Sequence, residues 1–221
     1  MAINQIQHLT ISEQVRAMLH DRIISGEFEP GARLTETDLA SRLNISRGPL
    51  REAILQLTED GLLVKQPYKG LRVRSVNQRE LAELYSLRTA LERFAFEQAW
   101  HRRGSAEIRD LGLRYKSIIN ARNRRDAAGA VAEEVTFHSW IYELSGHSLL
   151  LSHWEKLIPL VQIYMSIHQM RHGVSGVVMA ANHKYLELAM GDDLGAILDH
   201  IGEHMQTGFD EVYASVPAEY S

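Results

Sequence analysis

The sequence of 221 residues contains no cysteine. The absence of thiols excludes a disulfide scaffold, a thiolate-bound zinc or iron–sulfur site and a catalytic cysteine. No run of about 18 apolar residues occurs, so we expect no membrane-spanning helix. A basic excess is also missing, because 24 lysines and arginines oppose 28 aspartates and glutamates for a net charge of −4. This balance argues against unspecific binding of polyanions but is compatible with a local basic site.

Histidine, in contrast, is abundant, with 11 residues in the chain. A transition-metal site in a chain without thiols must use imidazole and carboxylate ligands. The segment Met1–Thr10 has no basic stretch followed by an apolar one, so we expect no signal peptide and a cytoplasmic location. The strings G-x-G-x-x-G, the P-loop and G-x-S-x-G are absent, so the enzyme classes that they mark are not indicated.

The composition divides the chain near residue 76. Residues 1–75 carry a net charge of +1 and the remainder carries −5. Only His8 and His20 of the histidines lie in the first part. The change predicts two domains, residues 1–76 and residues 77–221.

Residues 1–76 have the pattern of a winged helix-turn-helix, in which short helices joined by a tight turn precede a β-hairpin. Ser12 and Ser46 are the predicted N-caps of the first and third helices. Asn44 begins the predicted turn between the second and third helices. The predicted helices cover residues 12–25, 36–43 and 46–59, and the predicted strands cover 62–66 and 71–75.

Candidate DNA contacts lie at the start of the third helix and at the hairpin tip. The free N–H groups of a helix N-terminus favour a phosphate oxygen. Arg47 and Arg51 are four residues apart, so they share a helix face that can reach phosphates or a guanine edge. Gly48 has no side chain to hold the backbone away from DNA, and Lys69 and Gly70 at the tip can enter a minor groove. The alternative is that the two arginines belong to an ordinary solvated face.

A longer pattern runs through the first domain. It consists of Ile24, Gly26, Gly31 and Leu34, then Leu39-Ala40, then Ile45-Ser46-Arg47-x-Pro49-x-Arg51-Glu52-Ala53-x3-Leu57, then Asp60-Gly61-Leu62. This pattern resembles the DNA-binding domain of the GntR superfamily of bacterial transcription factors over residues 9–76. The resemblance implies that Ser46, Arg47, Gly48 and Arg51 touch operator DNA and that Gly70 lies at the wing tip. Thr37 stands where some relatives carry arginine, and its hydroxyl can donate to a phosphate.

Residues 77–221 predict an all-helical antiparallel bundle of about six helices, so the expected fold class is mainly α. Asn77 and Glu80 have the spacing of a capping box at the start of the first of these helices. The predicted helices cover residues 77–103, 106–123, 127–145, 148–171, 176–190 and 193–214.

Four residues of the bundle form a candidate metal site. Glu134 and His138 are four apart on one predicted helix, so both can approach one ion. His183 and His204 lie on later helices, and bundles build metal sites from facing helices. Three imidazoles and one carboxylate suit zinc or nickel. His200 is an alternative to His204, and ordinary solvated or hydrogen-bonded histidines are the alternative to a metal site.

A GntR-like domain at residues 1–76, here called the head, is followed by a helical domain at residues 77–221. This domain order resembles that of the FadR subfamily with its FCD effector domain. The resemblance implies a metal held by Asp-x3-His and two later histidines, positions matched by Glu134, His138, His183 and His204. Glu134 replaces the usual aspartate, and the interval between the last two histidines is one residue short. Arg88, in Leu87-Arg88-x2-Leu91-Glu92, matches the arginine that faces the effector cavity. Without a metal, the same residues can bind an effector carboxylate directly.

The resemblance implies a ligand-responsive transcriptional regulator, most often a repressor, and not an enzyme. The expected protein is a homodimer on double-stranded, near-palindromic operator DNA, and a small organic acid in the bundle is its expected effector. A DNA-binding dimer with no effector site is one alternative. An inverted H-x-x-E-H zinc peptidase built on His200, Glu203 and His204 is another.

Overall fold

The first part of the chain is a winged helix-turn-helix, as the sequence predicted. The structure, a computed structural model, describes residues 9–66, 68, 70–173 and 178–218. The elements of this head are α1 (Ile11–Ile24), β1 (Arg33–Leu34), α2 (Glu36–Leu43), α3 (Arg47–Glu59), β2 (Leu63–Gln66) and β3 (Gly70–Val73).

The N-cap of the first helix lies two residues earlier than the sequence indicated. Thr10, not Ser12, is the N-cap of α1, and its Oγ1 accepts the Glu13 N–H at 3.2 Å. Glu13 Oε2 in turn accepts the Thr10 N–H at 2.7 Å. This reciprocal pair satisfies two backbone donors that a helix start otherwise leaves free.

The head contains a strand that the sequence did not predict. β1 pairs antiparallel with β3, with Arg33 opposite Arg72 and Leu34 opposite Leu71, and the sheet order is β1-β3-β2. A strand of two residues is too short to show an alternating pattern. The pairing brings Arg33 to the same sheet as the wing.

The turn between α2 and α3 depends on Asn44. This residue adopts φ 50° and ψ 46°, a left-handed conformation that asparagine tolerates better than most side chains. The turn allows α3 to pack against α1 around Leu19, Leu50 and Leu57, each at most 1% exposed. The start of α3 is therefore held by core packing while its first turn faces solvent.

The second part of the chain is a helical bundle, which confirms the mainly α fold class. In the described residues its helices are α4 (Gln78–Ala99), α5 (Ser105–Asn123), α6 (Ala127–Ser145), α7 (Ser148–His172), α8 (Val178–Met190) and α9 (Leu194–Tyr213). A 3-10 turn at Trp100–Arg102 ends α4 earlier than predicted. None of the described helices is long and apolar enough to span a membrane.

α6 is the central helix of the bundle and packs against α4, α5 and α7. Val131, Phe137 and Ile141 on it are at most 1% exposed. A helix with apolar side chains on all sides must be buried. Glu134 and His138 lie among these residues and are therefore carried into the interior, 4% and 0% exposed.

α7 joins the bundle to the head. Ser166 Oγ donates to the Ile23 carbonyl of α1 at 3.4 Å, and Gln162 Oε1 lies 3.3 Å from His20 Nε2. Gln162 and Ser166 are one turn apart, so they form one face of α7. This face rests on α1, the helix that also packs against α3.

Candidate DNA-binding surface and effector cavity

The start of α3 is open to solvent. Ser46 occupies the N-cap position as predicted, but its hydroxyl makes no capping hydrogen bond. Arg47 and Gly48 follow it and are exposed. The free hydroxyl and the N–H groups of the first turn can therefore donate to a DNA phosphate.

Arg51 and Thr37 lie next to this helix start. The Arg51 side chain is 62% exposed, and its Nε donates to Glu36 Oε2 of α2 at 2.8 Å. Thr37 is exposed and follows Glu36 on α2. An exposed ion pair contributes only about 0–1 kcal/mol. Arg51 can therefore exchange Glu36 for DNA at little cost.

The wing tip requires a glycine. Gly70 has φ +82°, in the left-handed region that side chains disfavour. Tyr68 beside it is fully exposed, and Lys69 lies outside the described residues. Arg33 of β1 and Gly70 line the same surface depression. Arg33 is an exposed basic residue that the sequence analysis missed, since only the β1–β3 pairing places it near the wing.

The bundle contains a cavity of about 60 Å³. One water needs about 10–15 Å³ by such a measure, so the cavity has room for several waters or a small ligand. Arg88, the predicted effector-binding residue, lines it. The other polar lining residues are Arg122, Glu134, His168, Gln169, His204 and Glu211, and the apolar ones include Tyr85, Ala130, Val131, Met165 and Met205.

A chain of buried charged side chains adjoins the cavity. Arg88 Nε lies 3.4 Å from Glu92 Oε2, and Glu92 Oε1 lies 2.7 Å from His138 Nδ1. His138 Nε2 is 3.8 Å from Glu134 Oε1, and Arg122 Nη2 donates to Glu134 Oε2 at 3.3 Å. Positive and negative groups thus alternate along the chain, which offsets the cost of removing each charge from water.

Within this chain of buried charged side chains, each group's neighbours shift its pKa and so determine whether it is protonated. Burial raises the pKa of Glu92, but the charges of His138 and Arg88 outweigh burial and lower that pKa to about 2. Burial likewise raises the pKa of Glu134, while His138 and Arg122 lower it to about 2. Burial lowers the pKa of His138, but Glu92 and Glu134 together outweigh burial, and the net shift of this pKa is upward. Both carboxylates are therefore ionised at neutral pH.

His204 lies beside this chain of buried charged side chains, against His138. Its ring stacks on that of His138 with centroids 5.5 Å apart and an interplanar angle of 13°. Burial, together with the positive charges of His138 and Arg88, lowers the pKa of His204 to about 3. His204 is therefore neutral at physiological pH and presents a polar but uncharged group to the cavity.

The H-x-x-E-H string does not form a peptidase-like cluster. His200 Nε2 donates to the Ala181 carbonyl at 2.9 Å. The Glu203 side chain is 70% exposed and lies 3.6 Å from Lys184 Nζ. A zinc peptidase needs this glutamate as a base beside the ion, so the arrangement does not favour the peptidase alternative.

Of the four predicted metal ligands, the structure brings together Glu134, His138 and His204 but not His183. The His183 side chain is 57% exposed and lies 3.3 Å from Glu187. The preceding residue, Asn182, is fully buried and donates from Nδ2 to Glu134 Oε1 at 2.6 Å. The spacing of the histidines does not indicate Asn182, because two adjacent helical residues differ in direction by about 100°.

This donor set does not fit a four-ligand metal site as arranged. Glu134, His138 and His204 lie near one another, but neither they nor any other three His, Asp or Glu side chains in the described part of the chain are arranged so that they could hold an ion. Both Glu134 oxygens are already engaged, by Asn182 and by the cationic Arg122. The zinc or nickel site stays a prediction, and no step of the function proposed below uses a metal.

Two protein-family models match the chain. The model described as "Bacterial regulatory proteins, gntR family" matches residues 11–73, and that of the FCD domain matches residues 83–207, more than half of the chain. The chain belongs to the GntR family of bacterial regulatory proteins. Its head is the GntR helix-turn-helix, and its bundle is an FCD domain.

Relatives of this GntR-family protein are named as transcriptional regulators. The chain is 29% identical over 152 residues to the gluconate operon transcriptional repressor of Bacillus licheniformis, covering 69% of this chain and 62% of that protein. It is 29% identical over 170 residues to the HTH-type transcriptional repressor GlaR of Escherichia coli (strain K12), covering 75% and 77%. The chain thus matches less than two thirds of the gluconate repressor.

A solved structure has the same fold. E. coli McbR/YncC superposes with a TM-score of 0.74 at 23% identity, covering 94% of this chain and 99% of that one. At this identity the likeness shows the fold alone.

Proposed function

We propose that this protein is a DNA-binding repressor that releases its operator when a small organic acid enters the bundle cavity. The main support for this proposal is the buried guanidinium of Arg88 at the cavity wall. Arg88 is 5% exposed and lines the cavity, and its Nε and Nη2 have no partner in hydrogen-bond geometry. Buried donors without an acceptor cost free energy. A carboxylate accepts two N–H groups of one guanidinium, so it is a fitting ligand.

The surroundings of Arg88 hold its guanidinium in place. Glu92, one turn further along α4, lies on one side of it at 3.4 Å. The Trp154 ring lies 5.5 Å from the guanidinium carbon, within range of a cation–π interaction. A side chain fixed in this way loses little entropy when it binds an anion.

α7 provides the route from the cavity to the head. Met165 and His168 on one side of α7 line the cavity, and Gln162 and Ser166 on another side contact α1. His168 Nε2 also lies 2.7 Å from Glu211 Oε2 of α9 at the cavity wall. A ligand that changes this contact shifts α7, and α1 moves with it. The effector thereby favours one arrangement of the head over another.

The DNA-bound form is proposed to be a homodimer. A two-fold dimer places two recognition helices on successive major-groove half-sites of a near-palindromic operator. The repressor names of two relatives support the direction of regulation. A change in head spacing within the dimer then leaves only one half-site well matched, and the operator is released.

Small carboxylates are expected to raise the melting temperature of the full-length protein, because a ligand that binds only the native state stabilises it. In a thermal-shift screen with acetate, propionate and succinate at millimolar concentration, the wild type should respond to at least one acid. Arg88→Gln should abolish the response. Arg79→Gln, on the same helix but 85% exposed, should leave it intact. Equal shifts in the wild type and Arg88→Gln would place the acid elsewhere.

The metal prediction is decided by elemental analysis after purification with added zinc. The contacts of Glu134 favour substoichiometric zinc in the wild type, against the predicted four-ligand set, because Asn182 and not a histidine lies against Glu134. Asn182→His should raise the zinc content, since it supplies a third imidazole. His183→Ala is the matched control and should change nothing. Stoichiometric zinc in the wild type that is lost in His183→Ala would instead support the original four-ligand set.

A further inference from the structure

A second buried arginine faces the same cavity. Arg122 lies in the last turn of α5, its side chain is 11% exposed, and it lines the cavity with Arg88. Its Nη2 donates to Glu134, but its Nε and Nη1 are buried without a hydrogen-bond partner. Because few native arginines leave buried donors unsatisfied, these two groups call for an acceptor.

Arg88 and Arg122 occupy the two ends of the buried chain of charges. Arg88 faces Glu92 through Nε at 3.4 Å, outside hydrogen-bond geometry, and its buried Nη2 has no acceptor. Arg122 is paired with Glu134 through Nη2, and its buried Nε and Nη1 have no hydrogen-bond acceptor. His138 lies between the two carboxylates and separates the two arginines. The cavity therefore offers two cationic anchors, and one carboxylate group on a ligand satisfies only one of them.

The remaining lining indicates what joins the two anionic groups. Ala130, Val131, Met165 and Met205 contribute apolar surface to the cavity. A volume of about 60 Å³ admits only a short molecule. We propose that the effector is a short dicarboxylate whose carboxylates bind Arg88 and Arg122 and whose methylene groups contact these apolar residues. This inference rests on the proposed function and adds Arg122 as the residue that selects two carboxylates over one.

The test compares matched acids by isothermal titration calorimetry on the full-length protein. The dicarboxylates malonate, succinate and glutarate are titrated beside the monocarboxylates acetate, propionate and butyrate. Hydrogen bonds to a charged group contribute about 1.5–3 kcal/mol, so the best dicarboxylate should bind about tenfold or more tightly than any of the monocarboxylates. Equal affinities for the two classes would overturn the inference.

Arg122→Gln isolates the second anchor. The variant should bind the preferred dicarboxylate about as weakly as a monocarboxylate, while its affinity for the monocarboxylate stays within about twofold of the wild type. Arg122→Lys keeps the positive charge beside Glu134, so this variant should still fold if Arg122→Gln does not. It should lose part of the preference for dicarboxylates, because lysine cannot bind a carboxylate in a bidentate way. An undiminished preference in both variants, or an equal loss for both acid classes, would contradict the role of Arg122.

The outcomes separate this inference from the proposed function. Monocarboxylates that bind well and release the operator, with no advantage for dicarboxylates, would leave the proposed function standing and overturn the dicarboxylate. An absence of binding by all six acids would overturn both. A dicarboxylate preference that depends on Arg122 supports both.

Discussion

Arg47→Ala and Arg51→Ala are each expected to weaken operator binding by about 1–3 kcal/mol if they read bases, which is about 5- to 150-fold in the dissociation constant. Both arginines are exposed at the start of α3, and a bidentate contact with guanine is the commonest specific contact of arginine in the major groove. The measurement is fluorescence anisotropy with a DNA site selected from a random library by the wild type.

The salt dependence distinguishes the two kinds of contact. A phosphate contact should lower the slope of log affinity against log salt by about 1 per residue and weaken all sequences alike. A base contact should relax the preference at one position of the site. Arg79→Ala, on the bundle helix α4, is the control and should bind like the wild type. Wild-type affinity in both α3 variants would remove α3 as the recognition helix.

Arg51 is expected to show the smaller of the two effects. Its guanidinium must leave Glu36, 2.8 Å away, before it can contact DNA. Glu36 then remains near the DNA and repels the phosphates. This difference between two arginines that look equivalent in sequence arises from the packing of α2 on α3.

Glu92→Ala is expected to lower the free energy of unfolding by about 3–5 kcal/mol, because it leaves Arg88 and His138 as buried charged or polar groups without their partner. Glu92 is fully buried and accepts from His138 Nδ1 at 2.7 Å. The measurement is urea denaturation followed by circular dichroism, with linear extrapolation to water.

The matched control for Glu92→Ala lies on the same helix. Glu83 also pairs with an arginine one turn away, but its side chain is 63% exposed. Glu83→Ala should cost about 0–1 kcal/mol. Equal losses in the two variants would mean that the buried chain of charges contributes no more than a surface ion pair.

The helices, the hairpin strands and the turns of the head were predictable because each has a local cause. Asn44 suits the left-handed turn, Gly70 suits the wing tip, and apolar spacing defines the helices. The parts that were missed depend on contacts between distant residues. Arg33 lies near the wing only because a two-residue strand pairs with β3. No local pattern can indicate such a pairing.

The candidate site in the bundle was predictable only in part for a similar reason. The four-residue spacing of Glu134 and His138 predicted that they share one face of a helix, and both side chains lie on α6 in the interior of the bundle. The exchange of His183 for Asn182 depends on the rotation of α8 about its axis, and tertiary packing determines that rotation. Arg122 resembles a surface arginine at a helix end, and only the packed bundle shows that its side chain is buried.

α7 contacts both the cavity and the head, so it can couple ligand binding to the position of the head. One helix carries Met165 and His168 at the cavity and Ser166 against α1. Coupling between two sites in a protein typically amounts to about 1–3 kcal/mol. An effector acting through α7 therefore needs no large rearrangement of the bundle to change operator affinity by about 5- to 150-fold.

Operator affinity with and without a saturating acid is the decisive test of the proposed coupling between the cavity and the head. The acid that stabilises the wild type most in the thermal-shift screen is used, and its saturation is verified in the same buffer. We expect the acid to weaken wild-type operator binding by about 5- to 150-fold. The Arg88→Gln variant should bind the operator with wild-type affinity, and the acid should not change that affinity. Identical operator affinity of the acid-saturated and acid-free wild type would contradict the proposed coupling.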